Sequence, residues 1–276
     1  MRFLIAAVFA ALTTAPALAD ENQPSELHKI MTSFEAQGWE GVGRLNIGWG
    51  GMCTGAMISP RLVLTAAHCA FNSRSGTVMD AKDIVFHAGF RNGHATASRQ
   101  VGRIVVHPDY VYAGPTESAN VANDLALMEL TSDIRLPNVQ PFATSKRPRK
   151  GQQVGVVSYA HDRAESPSIQ EICHVLARQR GTLVLSCDVD FGSSGAPIFT
   201  EVDGQMRIVS VVSAKAEVRG RKVALGTNLE EPLSELMALL ATGGGRVVAA
   251  PAEVNIIRPN EPRRLSGGSS AKFLRP

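Results

Sequence analysis

The chain has 276 residues, enough to bury a sizeable core as one or two domains. Its 44% hydrophobic and 19% charged residues are ordinary for a soluble globular protein. A net charge of +3, with much of the basic excess in the last part of the chain, is too small to argue for a nucleic-acid partner.

Residues 1–19 read as a secretory signal. Arg2 supplies the positive start, Phe3 to Leu12 the apolar run, and Ala17-Leu18-Ala19 the small-residue cleavage site. The run is short and is followed at once by Thr and Pro, and no later stretch has the length and apolarity of a membrane span, so no stable insertion is expected after cleavage. Export means an oxidising compartment, periplasmic or extracellular. There the four cysteines, Cys53, Cys69, Cys173 and Cys187, read as two disulfides. Three pairings are open; the absence of a Cys-x-x-Cys motif argues against a zinc ribbon or redox dithiol.

Residues 20–38 are polar and lack a strong period, and read as a propeptide or an ordered lead-in. A short helix over Ser25 to Gln37 would place Leu27, Ile30, Met31 and Phe34 on one face. From Val42 the texture changes. Val42 to Ile47, Gly55 to Ile58, Leu62 to Thr65, Ile84 to Ala88 and Gln100 to Val106 are short runs separated by turn residues. That spacing predicts an all-β barrel or sandwich.

Three stretches carry candidate chemistry. In Leu62-Val63-Leu64-Thr65-Ala66-Ala67-His68-Cys69 an apolar strand ends by presenting a histidine, as a fixed general base requires. In Asn123-Asp124-Leu125-Ala126-Leu127 an aspartate opens a strand at its buried entrance. A buried carboxylate there could orient an imidazole. In Asp190-Phe191-Gly192-Ser193-Ser194-Gly195-Ala196-Pro197 a serine sits among small residues, between strand-like segments at Thr182 to Val189 and Ile198 to Val202. Such a stretch is either a tight turn or the exposed setting, with backbone donors nearby, that a nucleophilic hydroxyl needs.

These three motifs, in the order His, Asp, Ser, resemble the trypsin/chymotrypsin-like serine proteases, and most of all their exported bacterial branch, which includes the glutamyl endopeptidases. The resemblance covers about residues 39–242. It implies two six-stranded antiparallel β-barrels joined across about residues 131–152, with a C-terminal helix. Glu231 to Leu240, with Leu233, Leu236, Met237 and Leu240 at helical spacing, matches that helix. By the same resemblance Ser194 is the nucleophile, His68 the general base and Asp124 its orienting anion. The Gly192 and Ser194 N–H groups form the oxyanion hole, and Cys53 pairs with Cys69. The second cysteine pair sits differently from that of the animal members: Cys173 and Cys187 read as a hairpin-like staple just upstream of the nucleophile. The family needs no metal or organic cofactor, acts on protein or peptide substrates, and is monomeric by default. A catalytically silent, protease-fold binding protein is the alternative.

The chain also departs from the family. Ser193 stands where animal members carry an aspartate, and no Ile-Val-Gly-Gly-like start occurs near Gly38 to Gly43. Val212 replaces the histidine that glutamyl endopeptidases place before the cleft serine, Ser213. Asp188 lies at the spacing of the aspartate that makes trypsin prefer Arg or Lys, while Lys215 replaces a cleft-wall glycine. That lysine could narrow the pocket, pair with Asp188, or receive an acidic side chain. Asp188 or Asp190 could equally be a surface or structural carboxylate. The reading is a basic or small residue before the scissile bond. Residues 243–276, opening on three glycines and rich in Pro, Arg and Ser, read as a mobile, partly disordered tail.

Overall fold

The structure, a computed structural model, describes residues 23–48, 50–114 and 121–243, and the backbone of 246–249. The signal sequence and most of the tail lie outside the described residues. Short strands of β-branched and aromatic residues punctuated by turns build two sheets, and each curls until its first and last strands meet. In the first barrel the strands are β2 (Val42–Ile47), β3 (Gly51–Ser59), β4 (Leu62–Thr65), β5 (Ile84–Ala88), β6 (Ala97–Val106) and β7 (Ala126–Leu130). They run in the order β6-β5-β2-β3-β4-β7, and β7 pairs back onto β6 to close the ring.

The second barrel uses β8 (Gln153–Ser158), β9 (Ser168–Gln179), β10 (Thr182–Leu185), β11 (Pro197–Val202), β12 (Gln205–Val218) and β13 (Arg221–Asn228). Its order is β9-β10-β13-β12-β11-β8, closed by β8 on β9. The expected pair of six-stranded antiparallel barrels is therefore the observed fold. Closure removes free sheet edges. Two short strands add outside the rings: β1 (His28–Lys29) on β9, and β14 (Arg246–Ala249) on β6.

Alternation decides which side chains go in. In β5, Ile84, Phe86 and Ala88 are buried and the residues between them are not, the period of a strand with one face on a core. The second barrel has its own interior, which includes Val156, Leu183, Leu185, Ile198 and Val209. Between the barrels Trp39, Phe142 and Phe199 pack edge to face, with centroids 5.1 Å apart for Trp39–Phe199 and 4.8 Å for Phe142–Phe199. The helix α1 (Glu230–Thr242) starts with two glutamates that suit the positive end of its dipole. It ends at Gly243, whose left-handed backbone caps the Leu239 and Leu240 carbonyls. Leu236 is its buried anchor, whereas Met237, expected on the same face, is 44% exposed; Leu239 packs inward instead.

The expected helix over Ser25 to Gln37 is not there. Ser25 N–H bonds the Ile172 carbonyl at 2.8 Å and Ile30 N–H that of Pro167 at 2.9 Å, so this segment runs extended along the second barrel. Ile30 is buried, but Met31 and Phe34 are exposed. Beyond it Glu35 accepts the Met31 and Thr32 N–H groups, both at 2.8 Å, and turns the chain. Arg91 of the first barrel holds the Met31 carbonyl and the Ser33 hydroxyl. Tertiary partners override a weak local period here. The strand expected over Thr182 to Val189 is also shorter, because its register with β9 breaks at Leu185.

Both disulfides are formed. Cys53–Cys69 joins β3 to the turn after β4, and Cys173–Cys187 joins β9 to the approach to Asp190. For a loop of 16 residues the chain-entropy model gives about 3 kcal/mol of stabilisation.

Candidate active site

The three motifs meet in the crevice between the barrels. After β4 the chain makes a tight 3-10 turn, Ala67–Ala70, stapled by Cys69, and this turn presents His68. Asp124 follows a second turn, Val121–Asn123, just before β7, and is buried. Its two oxygens have separate partners: Oδ1 accepts the His68 backbone N–H at 2.9 Å, and Oδ2 pairs with His68 Nδ1 at 2.7 Å. Imidazole position and ring orientation are thus held by one carboxylate. Burial pulls the His68 pKa down. The Asp124 charge and hydrogen bond together outweigh that, and the net pKa stands above the ordinary histidine value.

Ser213, expected at the cleft, also supports the carboxylate, because its hydroxyl donates to Asp124 Oδ2 at 2.5 Å. From below, Thr227 Oγ1 donates to the carbonyls of Val121 (2.7 Å) and Asp124 (3.2 Å) and fixes the turn that carries the carboxylate. Ser194, His68, Gly192 and Phe191 line one cleft, whose other wall includes Met52, Cys53, Phe71, Asn72 and Tyr112.

The serine loop is shaped by glycine at two points. Gly192 has φ +98°, and a Cβ there would lie 2.4 Å from Met52 Cε and 2.9 Å from Ala160 Cα. Gly195 has φ +79°, and a Cβ there would lie 2.3 Å from the Thr54 carbonyl oxygen. Ser193, buried, accepts the Asp190 N–H at 3.3 Å and donates to Ser158 Oγ at 3.2 Å, so its hydroxyl holds the loop locally. Among the described residues the N–H groups of Gly192 and Ser194 have no backbone acceptor. They are available to an anion at the serine.

Sequence reasoning missed Thr54. Fully buried on β3, it donates from Oγ1 to the Gly192 carbonyl at 2.9 Å and from its N–H to the Ser194 carbonyl at 2.8 Å. Its Oγ1 also accepts the Tyr159 N–H at 3.0 Å, and its carbonyl accepts the Thr65 hydroxyl at 2.8 Å. One threonine of the first barrel therefore clamps the serine loop of the second. A lone threonine in a strand gives no local sign of this.

The candidate specificity residues are not brought together as a pair. Asp188 is exposed, and its N–H donates to Gln170 Oε1 at 2.7 Å. Lys215 meets Asp190 instead, Nζ to Oδ1 at 2.7 Å, with Nζ 4.0 Å from the Phe191 ring centroid. Lys215 and the Phe191 N–H hold the Asp190 carboxyl below the usual carboxylate range.

Two groups of potential metal ligands occur among the described residues. In the first, Cys53 and Cys69 are tied to each other, which leaves no thiolate. In the second, His107 Nδ1 accepts the Asp109 N–H at 3.3 Å, so its proton sits on Nε2, facing Glu235 at 3.1 Å. A metal on Nε2 would push that proton onto Nδ1, against another N–H, which disfavours the site.

A family model described as trypsin-like peptidase domain matches residues 53–207. "Serine protease SP24D" of Anopheles gambiae is 35% identical over 94 residues, which is 33% of this chain but only 30% of that protein. An "Uncharacterized peptidase" of Corynebacterium glutamicum (strain R) is 24% identical over 267 residues, covering 90% of this chain and 85% of the relative. Among solved structures, a Glu endopeptidase in complex with MPD superposes with a TM-score of 0.65, covering 79% of this chain and 97% of its own at 17% identity, a likeness of fold.

Proposed function

We propose, from the premise that the chain belongs to the trypsin-like peptidase family, that it is an exported serine endopeptidase cutting peptide bonds through Ser194, His68 and Asp124. The observation that carries this reading is the bonded series Ser213–Asp124–His68 ending in the cleft that Ser194 lines. His68 Nδ1–H is committed to Asp124, which leaves Nε2 as the acceptor facing the cleft. Ser194 Oγ attacks the scissile carbonyl while His68 takes its proton; the resulting imidazolium is stabilised by the Asp124 carboxylate. The Gly192 and Ser194 N–H groups receive the oxyanion. Collapse expels the amine, protonated by His68, and water then repeats the sequence on the acyl-enzyme. Among the described residues no hydrogen bond yet joins Ser194 Oγ to His68; such bonds commonly tighten only around bound substrate.

Export is supported by the signal-like start and by the two disulfides, which persist in oxidising compartments. No helix among the described residues is long and apolar enough to cross a membrane. The reading has the enzyme acting as a monomer on protein or peptide substrates. The direct test is labelling by an active-site serine phosphonate together with cleavage of a mixed peptide library. Wild type labels and cuts, and Ser194→Ala does neither. A folded wild type that neither labels nor cuts overturns the reading in favour of a silent binding protein.

A further inference from the structure

Residues 23–38 precede the barrels in the chain, a position from which a propeptide would be removed. Among the described residues, however, none of them lines the cleft that holds His68 and Ser194. The segment is built into the molecule at both ends. At one end β1 pairs with β9, and the buried Ile30 gives its N–H to the Pro167 carbonyl at 2.9 Å. Just beyond, Arg91 of the first barrel donates to the Met31 carbonyl at 2.9 Å and to Ser33 Oγ at 2.7 Å.

Ser25 marks the other end, and its contacts lead towards the serine loop. Its N–H donates to the Ile172 carbonyl at 2.8 Å, and its Oγ accepts the Ile172 N–H at 3.0 Å. Its carbonyl accepts Gln170 Nε2 at 2.7 Å. Gln170 is buried, and the other end of the same amide, Oε1, accepts the Asp188 N–H at 2.7 Å. Ile172 and Asp188 adjoin Cys173 and Cys187, which are joined to each other. Ser25, Gln170, Asp188 and the disulfide therefore close a ring of contacts at the start of the serine loop. From there Asp190 is tied to Ser193: the Ser193 N–H donates to the Asp190 carbonyl at 2.9 Å, and Ser193 Oγ accepts the Asp190 N–H at 3.3 Å. A buried amide bonded at both ends keeps its place only while both partners stay. Without the Ser25 carbonyl, Nε2 is left unpaired in the interior, and the amide turns away from Asp188 to recover a partner.

We propose that residues 25–31 are a retained strap that holds the serine loop in its reacting form, and that Gln170 is the positioning residue through which the strap acts. Ser25 works through a main-chain carbonyl inside the chain, so a free terminal amine has no part in the contact. A cut between Ser25 and Ile30 therefore switches the enzyme off, the opposite of what removal of a propeptide does. This rests on the peptidase reading above and concerns the regulation of the same site.

The experiment compares the full chain with Gln170→Met, with a deletion of residues 20–29, and with the two combined. The readouts are the rate of phosphonate labelling at Ser194 and kcat and KM on one cleaved peptide. Rates are referred to folded protein, whose share is measured by denaturant titration on the same samples. Each single change lowers the labelling rate and kcat by about tenfold to a hundredfold and moves KM by less than about threefold, as loss of alignment does. The combination is no worse than the deletion alone, because both break one link. A short Gly-Ser insertion between Asp20 and Glu21, which moves the terminus and leaves Ser25 in place, has no effect. Should the deletion not fold, Ser25→Pro replaces it in the comparison, since it removes the N–H and hydroxyl that fix Ser25 on Ile172 and keeps Ile30. Folded variants that label and turn over like wild type, a deletion that labels faster, losses that add in the combination, or an insertion that abolishes labelling would each overturn this proposal and leave the peptidase reading intact. A wild type that neither labels nor cuts sinks both.

Discussion

At the scale of single residues, the chemistry depends on how one carboxylate is used. Asp124 positions His68 through the backbone and the ring at once, and its charge lifts an imidazole that burial alone would depress. If His68 is the general base proposed above it must be neutral, so kcat/KM is expected to fall as pH drops through its pKa, which stands above the ordinary histidine value. In Asp124→Asn the raising cause disappears and the burial penalty stays. The acid limb of the pH–rate profile should then move to lower pH, with kcat reduced by on the order of 10⁴. A limb that stays in place would assign it to another group. Thr54→Val keeps shape and removes the hydroxyl that holds the Gly192 carbonyl. It should lower kcat more than it raises KM, because the loop carrying the proposed oxyanion donors loses its clamp. A stability loss of about 1–3 kcal/mol is expected from the unpaired Tyr159 N–H and Gly192 carbonyl, readable in parallel kinetics and denaturant titration.

The elements of the fold act mainly as mounts. β3 and β4 hold the turn that presents His68, the segment before β7 holds Asp124, and the loop between β10 and β11 carries Ser194. Gly195 sits where Thr65 and Thr54 close in, so Gly195→Ala has no room for its methyl and no favourable φ. That variant should lose both stability and phosphonate labelling, whereas a Gly204→Ala control meets no neighbour and should keep its labelling. The N-terminal segment is mounted in the opposite sense, since β1 takes its conformation from β9 and Arg91 holds Met31 and Ser33 just beyond it. Ile30, buried against the core, is the residue whose loss tests this. Ile30→Ala should cost about 2–5 kcal/mol in chemical denaturation. A change within a few tenths of a kcal/mol would make the segment a passive lead-in.

Across the whole molecule, the proposed activity requires the two barrels to keep a fixed relation, because His68 and Asp124 come from the first and Ser194 and Ser213 from the second. The seam that fixes them is aromatic: Phe199, fully buried, packs on both Trp39 and Phe142. Phe199→Ala should destabilise by about 3–5 kcal/mol. In the folded fraction, kcat should fall through misalignment of Ser194 against His68, while the far-ultraviolet spectrum of each barrel remains. Loss of stability with unchanged kcat would place the alignment elsewhere, in Thr54 and Ser213.

The reach of the sequence followed the range of the interactions. His68, Asp124 and Ser194 were legible because each lies in a local motif whose small neighbours and adjoining strand mark it out, and the strands were legible because alternation is a property of neighbours in the chain. The helix over Ser25 to Gln37 failed for the converse reason, since hydrogen bonds to Pro167 and Ile172 set that segment's backbone. Thr54, whose partner Gly192 lies 138 residues away, carried no local sign. The meeting of Lys215 with Asp190 rather than Asp188 was likewise a matter of how β12 and the serine loop lie against each other. Sequence by itself determined an all-β chain and the order and types of the chemical groups, because period, turn chemistry and motif are short-range, and the pair of barrels followed only from the resemblance those motifs carry. Tertiary structure alone decided which carboxylate meets Lys215, what clamps the serine loop and how the N-terminal segment is held, because those outcomes depend on burial and pairing between segments that touch only once both barrels have closed.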